Sequence, residues 1–217
     1  MDDRLRRVAA QVRPGSRLAD IGTDHAYLPI HLVSAGICPS AIASDLRIGP
    51  VESARRHVAA AGLSERVQVR LGDGLDPVAP DEVDDIVIAG MGGETIAAIL
   101  GAAAWIRDER YRLILQPMTR PEELRRYLLT NGFSLLRESV ARDGGHLYTV
   151  MTAAFTGAAP VTDEAAYYRG ALGVDGREYL QKEIDRLKKK EHGCRLAEKT
   201  DEADRWRDLI ERLEGSL

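Results

Sequence analysis

Cysteine is scarce in this 217-residue chain, which holds two, Cys38 and Cys194. They lie far apart and match no zinc-ligand spacing, so unpaired thiols in or near a core are expected, with no metal centre and no disulfide framework. Long apolar runs are also missing. Nothing approaches the roughly 18 consecutive apolar residues of a membrane span. The opening MDDRLRRVAAQVRPGS lacks the apolar centre of a secretory leader, and a cytoplasmic location is expected. No excess of positive charge is present: the formal net charge is −4. Any nucleic-acid contact therefore has to come from a local basic patch. Two phosphate-binding signatures are absent as well. There is no GxGxxG fingerprint, and no Lys-Ser/Thr follows the glycine cluster at 90–93 as a Walker A loop requires.

What is present is a regular alternation. Residues 4–12 read as a helix that Pro14-Gly15 breaks. RLADIG (17–22) reads as a strand, AYLPIHLVSAG (26–36) as a helix, AIASD (41–45) as a strand and 50–61 as a helix. RVQVRLGD (66–73) alternates like a strand, and DDIVIAG (84–90) is an apolar strand leading through MGGE into a helix. YRLILQP (111–117) is a strand and PEELRRYLLTNG (121–132) a helix. FSLLRESVARDGGHLYTVMTAAF (133–155) reads as two strands about an Asp-Gly-Gly turn. Strands alternating with helices imply a parallel, doubly wound α/β sheet, Rossmann-like, whose closing hairpin makes one edge strand antiparallel. That ending is not the usual pattern of a dinucleotide dehydrogenase.

A connection at 156–164 separates this first domain, 1–155, from a different C-terminal region, 156–217. All five lysines lie in that region. Leu180, Ile184 and Leu187, and then Ala203, Trp206, Ile210 and Leu213, follow helical spacing on either side of a break expected at His192-Gly193. The pattern predicts an antiparallel α-helical hairpin with coiled-coil-like packing. Its arms, 177–195 and 196–214, carry about +3 and −3 by residue count. The arms can attract each other, or the basic one can face a polyanionic substrate.

In an open α/β sheet, ligands bind beyond the carboxyl ends of the strands. Strand one is followed by Asp20, Gly22, Asp24 and His25. Asp24 occupies the place of the fingerprint's second glycine, where its charge would repel a pyrophosphate. A ligand carrying an ammonium and a sulfonium would tolerate it. Asp45, ending strand two, can accept both hydroxyls of a ribose. Asp73 and Gly74 follow strand three. Gly90, Met91, Gly92 and Gly93 follow strand four and suggest close backbone approach to a ligand. Gln116 and Pro117, at the end of strand five, could shape a pocket for a base.

Taken in order, ADIGTDHAYLP, GDGL, IAGMGG and LILQP resemble the bacterial tRNA (adenine(22)-N1)-methyltransferase family over about residues 1–153. The C-terminal hairpin is similar to that family's as well. The resemblance implies a class I methyltransferase fold and S-adenosyl-L-methionine as donor. It also implies methyl transfer to N1 of an adenosine, at position 22, in tRNA. Cofactor contacts then fall on Asp20, Gly22, Asp24, His25, Asp45, Asp73, Gly74 and Gly90 to Gly93. Asp24 becomes the candidate acceptor for the amino group of the target adenine, and Tyr27 its stacking wall. Candidate substrate contacts are Gln116, Pro117, Arg120, Lys188, Lys189 and Lys190, with Arg4, Arg6 and Arg7 among further arginines for tRNA. The chain is expected to work as a monomer or weak homodimer without membrane contact. A methyltransferase acting on a small molecule or a protein would share every cofactor residue.

Overall fold

A computed structural model describes residues 1–173 and 176–217. The chain begins with α1 (Asp3–Ala9), followed by β1 (Leu18–Ile21), α2 (Tyr27–Ser34), β2 (Ala41–Asp45), α3 (Ile48–Ala60) and β3 (Val67–Leu71). Then come β4 (Asp85–Gly92), α4 (Gly93–Ala102), β5 (Arg112–Thr119), α5 (Pro121–Thr130) and the pair β6 (Phe133–Asp143) and β7 (His146–Phe155). The seven strands lie in the order β3-β2-β1-β4-β5-β7-β6. β1 to β5 run parallel, and β7 is antiparallel to both β5 and β6. The antiparallel strand is thus the penultimate one and not the edge, because β7 inserts between β5 and β6.

The strands read as near-continuous apolar runs because helices cover both faces of the sheet. Alternate side chains divide between two cores. Ile86, Ile88, Leu113 and Leu115 pack with Ile96 and Leu100 of α4 and Leu124 and Leu128 of α5. Leu18, Val87 and Ile114 pack with Val8 of α1, Leu28 and Leu32 of α2 and Val58 of α3. The helix α1 is tethered at its exit. The backbone N–H and Nε of Arg13 each donate to the fully buried Asp85 carboxylate over 2.7 Å, at the start of β4.

Other expectations shift as well. α3 starts two residues before Pro50, whose missing N–H costs nothing in a first helical turn. β4 does not stop at Gly90. It continues through Met91 and Gly92 beside β5, with register shifts on either side of Met91, so the glycine cluster is largely strand and bulge, not loop. The region after 155 contains a short helix, α6 (Glu164–Arg169), which begins on the last residue of the expected connection at 156–164 and occupies a stretch for which no element was expected.

The C-terminal arms are α7 (Arg177–Leu196) and α8 (Thr200–Glu214). The expected break at His192-Gly193 is absent: α7 runs through both and turns at Ala197 to Lys199. A mid-helix glycine costs about 1 kcal/mol, and packing of Leu180, Ile184 and Leu187 against Leu209, Ile210 and Leu213 offsets it. Charge also joins the arms, through Lys188–Glu214 at 2.6 Å and Arg195–Asp204 at 2.7 Å. Among the described residues no helix is long and apolar enough to cross a membrane.

Candidate active site

The strand order reverses between β1 and β4, and a cavity of about 620 Å³ opens beyond the carboxyl ends there. Of the residues singled out from sequence, Asp20, Gly22, Asp24, His25, Tyr27, Asp45, Asp73, Gly74, Gly90 and Met91 line it. Four acidic groups from three different strand ends face one space.

Asp20 is the most constrained of them. It lies in β1 at 6% exposure and accepts from the Thr23 hydroxyl over 2.6 Å. Burial raises its pKa to about 6, opposed by the Thr23 hydrogen bond and helped by nearby Asp45. No cationic side chain comes within 4 Å of it among the described residues. It is a buried carboxylate whose charge lacks a partner, suited to an ammonium or another cation. Asp45 is buried at the end of β2, and its Oδ1 accepts the backbone N–H of Arg47 at 2.9 Å. That bond fixes the carboxylate while leaving capacity for hydroxyl donors.

The glycines act by approach. Gly22 has φ +75°, and a β-carbon there would collide with the methyl of Met91. The loop after β1 and the bulge of β4 therefore touch directly across the switch point. Gly93 has a different role from the one expected. A β-carbon on it would strike the backbone carbonyl of Arg120, so it serves close packing of α4 on the entry to α5. Gly92 and Gly93 do not line the cavity.

At the cavity rim, His25, Tyr27 and His57 form a three-ring cluster with centroids 5.2 to 5.4 Å apart. His25 Nδ1 lies 2.8 Å from the Ser53 hydroxyl, and its Nε2 3.4 Å from Asp24. Tyr27, the first residue of α2, is 52% exposed and presents an aromatic surface beside Asp24. Asp24 adopts φ +52°, a left-handed conformation that Asp and Asn tolerate better than most residues.

The candidate substrate residues are not gathered here. Gln116 is fully buried; its Oε1 accepts from Arg4 at 2.7 Å and from the Gly90 N–H at 3.1 Å, while its amide donates to the Pro117 carbonyl at 2.8 Å. It braces the cavity wall, and Pro117 is buried in β5 beside it. Arg120 caps α5 in a left-handed conformation and pairs with Glu94. Lys188 pairs with Glu214, Lys190 lies 3.8 Å over the Trp206 ring, and Lys189 is exposed on α7. Sequence reasoning missed Thr23, Leu46, Arg47, Thr95 and Ile99 as lining residues and His57 as part of the rim cluster. Thr23 and the pair Leu46-Arg47 directly follow flagged strand ends and were within reach of the same rule. Thr95, Ile99 and His57 sit on helices, where only tertiary packing brings them to the site.

Residues 1–151 match the family described as methyltransferase domain. The Bacillus subtilis protein named tRNA (adenine(22)-N(1))-methyltransferase is 40% identical over 153 residues, covering 70% of this chain. The match spans 64% of that curated relative's length. The crystal structure of the B. subtilis m1A22 tRNA methyltransferase superposes with a TM-score of 0.80 at 32% identity, over 99% of this chain and 96% of that one. A Streptococcus pneumoniae structure in complex with S-adenosyl-L-methionine superposes with a TM-score of 0.80 at 34% identity, over 98% of this chain and 99% of the other. The chain therefore belongs to the methyltransferase domain family, alongside the tRNA (adenine(22)-N1)-methyltransferases it resembles in both sequence and fold.

Proposed function

We propose that the chain transfers a methyl group from S-adenosyl-L-methionine to N1 of an adenosine, at position 22, in tRNA, and that it does so in the cytoplasm. The observation that carries this reading is the convergence of Asp20, Asp45 and Asp73 on one cavity at the switch point, in a chain 40% identical to a relative of that name. The residues fit the donor. Asp20 offers a buried carboxylate without a cationic partner for the ammonium, Asp45 can accept the ribose hydroxyls, and Asp73 beside Gly74 can accept the adenine amino group. When bound, S-adenosylmethionine supplies an electrophilic methyl carbon, to which adenine N1 bonds through its lone pair as the carbon–sulfur bond breaks and sulfur keeps the electron pair.

An unprotonated N1 needs no proton removed, so the protein's task is alignment more than base catalysis. N1 lies on the pairing edge, so the target base has to leave its stack to be reached. Tyr27 offers a wall for the extruded base, and Asp24 accepts from its exocyclic amine, which stabilises the positive charge that methylation places on the ring. The helices α6 to α8 are proposed as the tRNA-binding appendage, with Lys189 and its neighbours reading phosphate charge.

The test is methyl transfer from labelled S-adenosylmethionine to unmodified tRNA, followed by nucleoside analysis of the digest. Label in 1-methyladenosine supports the reading. Label in no nucleoside, with donor binding intact, would transfer the reading to a small-molecule or protein methyltransferase.

A further inference from the structure

We infer that Ser53 and His57 of α3 are positioning residues for methyl transfer: they hold Asp24 and Tyr27 where those two can meet the target adenine. The inference rests on the proposed tRNA reading and deepens it by naming what aims its substrate-facing groups.

The loop after β1 does not hold its shape by itself. Asp24 and Ala26 both have left-handed backbones, at φ +52° and +57°, although neither is glycine. Ala26 is also the N-cap of α2 and supplies no side-chain cap. Such conformations persist where surrounding structure over-determines them, and they gather at functional sites. The restraint here comes from another helix. Ser53 and His57 are four residues apart on α3 and so lie on one face of it. The Ser53 hydroxyl lies 2.8 Å from His25 Nδ1, and His57 Nδ1 lies 3.2 Å from the His25 carbonyl oxygen. His25, between the two left-handed residues, is thus gripped at both its ring and its backbone.

The chemistry of these contacts gives them a direction. A carbonyl oxygen only accepts, so His57 carries a proton on Nδ1 and donates it. The Asp24 carboxylate lies 3.4 Å from His25 Nε2. A carboxylate there favours a proton on Nε2, and Nδ1 then accepts from the Ser53 hydroxyl. Ser53 therefore sets the imidazole, and the imidazole faces Asp24. The His57 ring in turn backs Tyr27, with centroids 5.4 Å apart and planes inclined by 31°. Tyr27 stays 52% exposed, which leaves ring surface for a base. Neither Ser53 nor His57 lines the donor cavity. They act through the loop and not on the donor.

The test is single-turnover methyl transfer to unmodified tRNA at saturating donor and tRNA, with donor affinity measured separately. Ser53→Ala and His57→Ala should each slow transfer by roughly three- to tenfold, the effect of one hydrogen bond. Donor affinity should stay within about twofold. Ser53→Thr, which keeps the hydroxyl, should restore most of the rate. Paired substitutions separate positioning from a general loss of structure. Ser53→Ala should cost little in protein already carrying Asp24→Asn, and His57→Ala little beside Tyr27→Ala, because each acts through its partner. Full additivity, or a matching loss of donor affinity, overturns the inference. If His57→Ala does not fold, the Ser53 set decides alone. Transfer by the unaltered protein that ignores these substitutions sinks the inference and leaves the tRNA reading standing. No transfer to tRNA by the unaltered protein, with donor bound, sinks both.

Discussion

Arg4 and Gln116 lie 112 positions apart in sequence, yet the guanidinium of one donates to the side-chain oxygen of the other over 2.7 Å. The same oxygen accepts the Gly90 N–H, so a single buried amide joins α1, β4 and β5 at the mouth of the cavity. Gln116→Leu preserves volume but removes the acceptor, stranding two donors. Thermal or urea unfolding should register a loss of about 1–3 kcal/mol. Donor affinity should fall several-fold as the cavity wall at Arg4 and Gly90 loses its brace; unchanged stability would mean that water replaces the amide at no cost.

Asp20 sets stability against binding. Its carboxyl titrates at about 6 in the folded protein, above its ordinary 3.8. The folded state thus holds this proton more tightly than the unfolded chain. Stability from this site is greatest below pH 4, declines as pH rises from about 4 to 6, and stays reduced above that. Asp20→Asn removes the buried charge and should stabilise the ligand-free protein at pH 8 by about 2–3 kcal/mol, with little gain at pH 4. The same substitution should abolish most donor binding. In the unaltered protein donor affinity should drop as pH falls below about 6, because the protonated acid no longer attracts an ammonium. Calorimetric titration across pH 5 to 8 checks the second claim, and denaturation at two pH values the first.

Asp24→Asn is the substitution that tests the proposed target-base role of Asp24 against its expected place among the donor contacts. Asn keeps the left-handed backbone at this position but carries no charge. Asp24→Asn should lower kcat for tRNA methylation by roughly ten- to a hundred-fold, as loss of one charged hydrogen bond to the target base predicts. Donor affinity should move much less. Full turnover at saturating donor and tRNA would remove Asp24 from the target-base role.

A buried ion pair helps join the C-terminal helices to the sheet domain, beside the Arg186–Glu122 and Arg142–Glu178 contacts. Arg125 Nη2 and Glu138 Oε1 lie 2.9 Å apart with almost no exposure. Arg125 also donates to the carbonyls of Tyr167 and Tyr168, and Glu138 accepts the Ala171 N–H. Gly170, at φ +60°, leaves no room for a β-carbon against the pair. Arg125→Met leaves a buried carboxylate without its partner and should cost about 3–5 kcal/mol. It should also speed limited proteolysis between 156 and 163, by freeing α6 from α5 and β6. A stability loss without faster cleavage there would show that the pair serves the sheet domain alone.

On α7, Lys189→Glu is the clean probe of the proposed tRNA contact. Reversing Lys188 would set a carboxylate against Glu214, and reversing Lys190 would strip a cation from the Trp206 face. Lys189→Glu should weaken tRNA binding and reduce the slope of log affinity against log salt by about one. An unchanged slope would remove this face of α7 from the interface.

The sequence by itself determined the five parallel strands, but not the place of the closing hairpin, whose β7 lies between β5 and β6. Short apolar runs alternating with amphipathic helices fit buried parallel strands, and the carboxyl ends of such strands locate a site in an open α/β fold. Asp20, Gly22, Asp45, Asp73 and Gly90 were legible for that reason. Local signals gave less where packing outweighs propensity: Gly193 does not end α7, since the helix pair's core carries it through. The α6 helix, only six residues long, left no periodic trace, and its place depends on Arg125 holding its last carbonyls. The tertiary structure alone decided which polar groups share a space. It turned Arg4 inward while Arg6 and Arg7 stayed outside, it made Gln116 a brace, and it brought His57 of α3 against Tyr27 of α2. Such pairings join residues 30 positions apart in the case of Tyr27 and His57 and 112 in that of Arg4 and Gln116, which no local pattern of apolar and polar positions encodes.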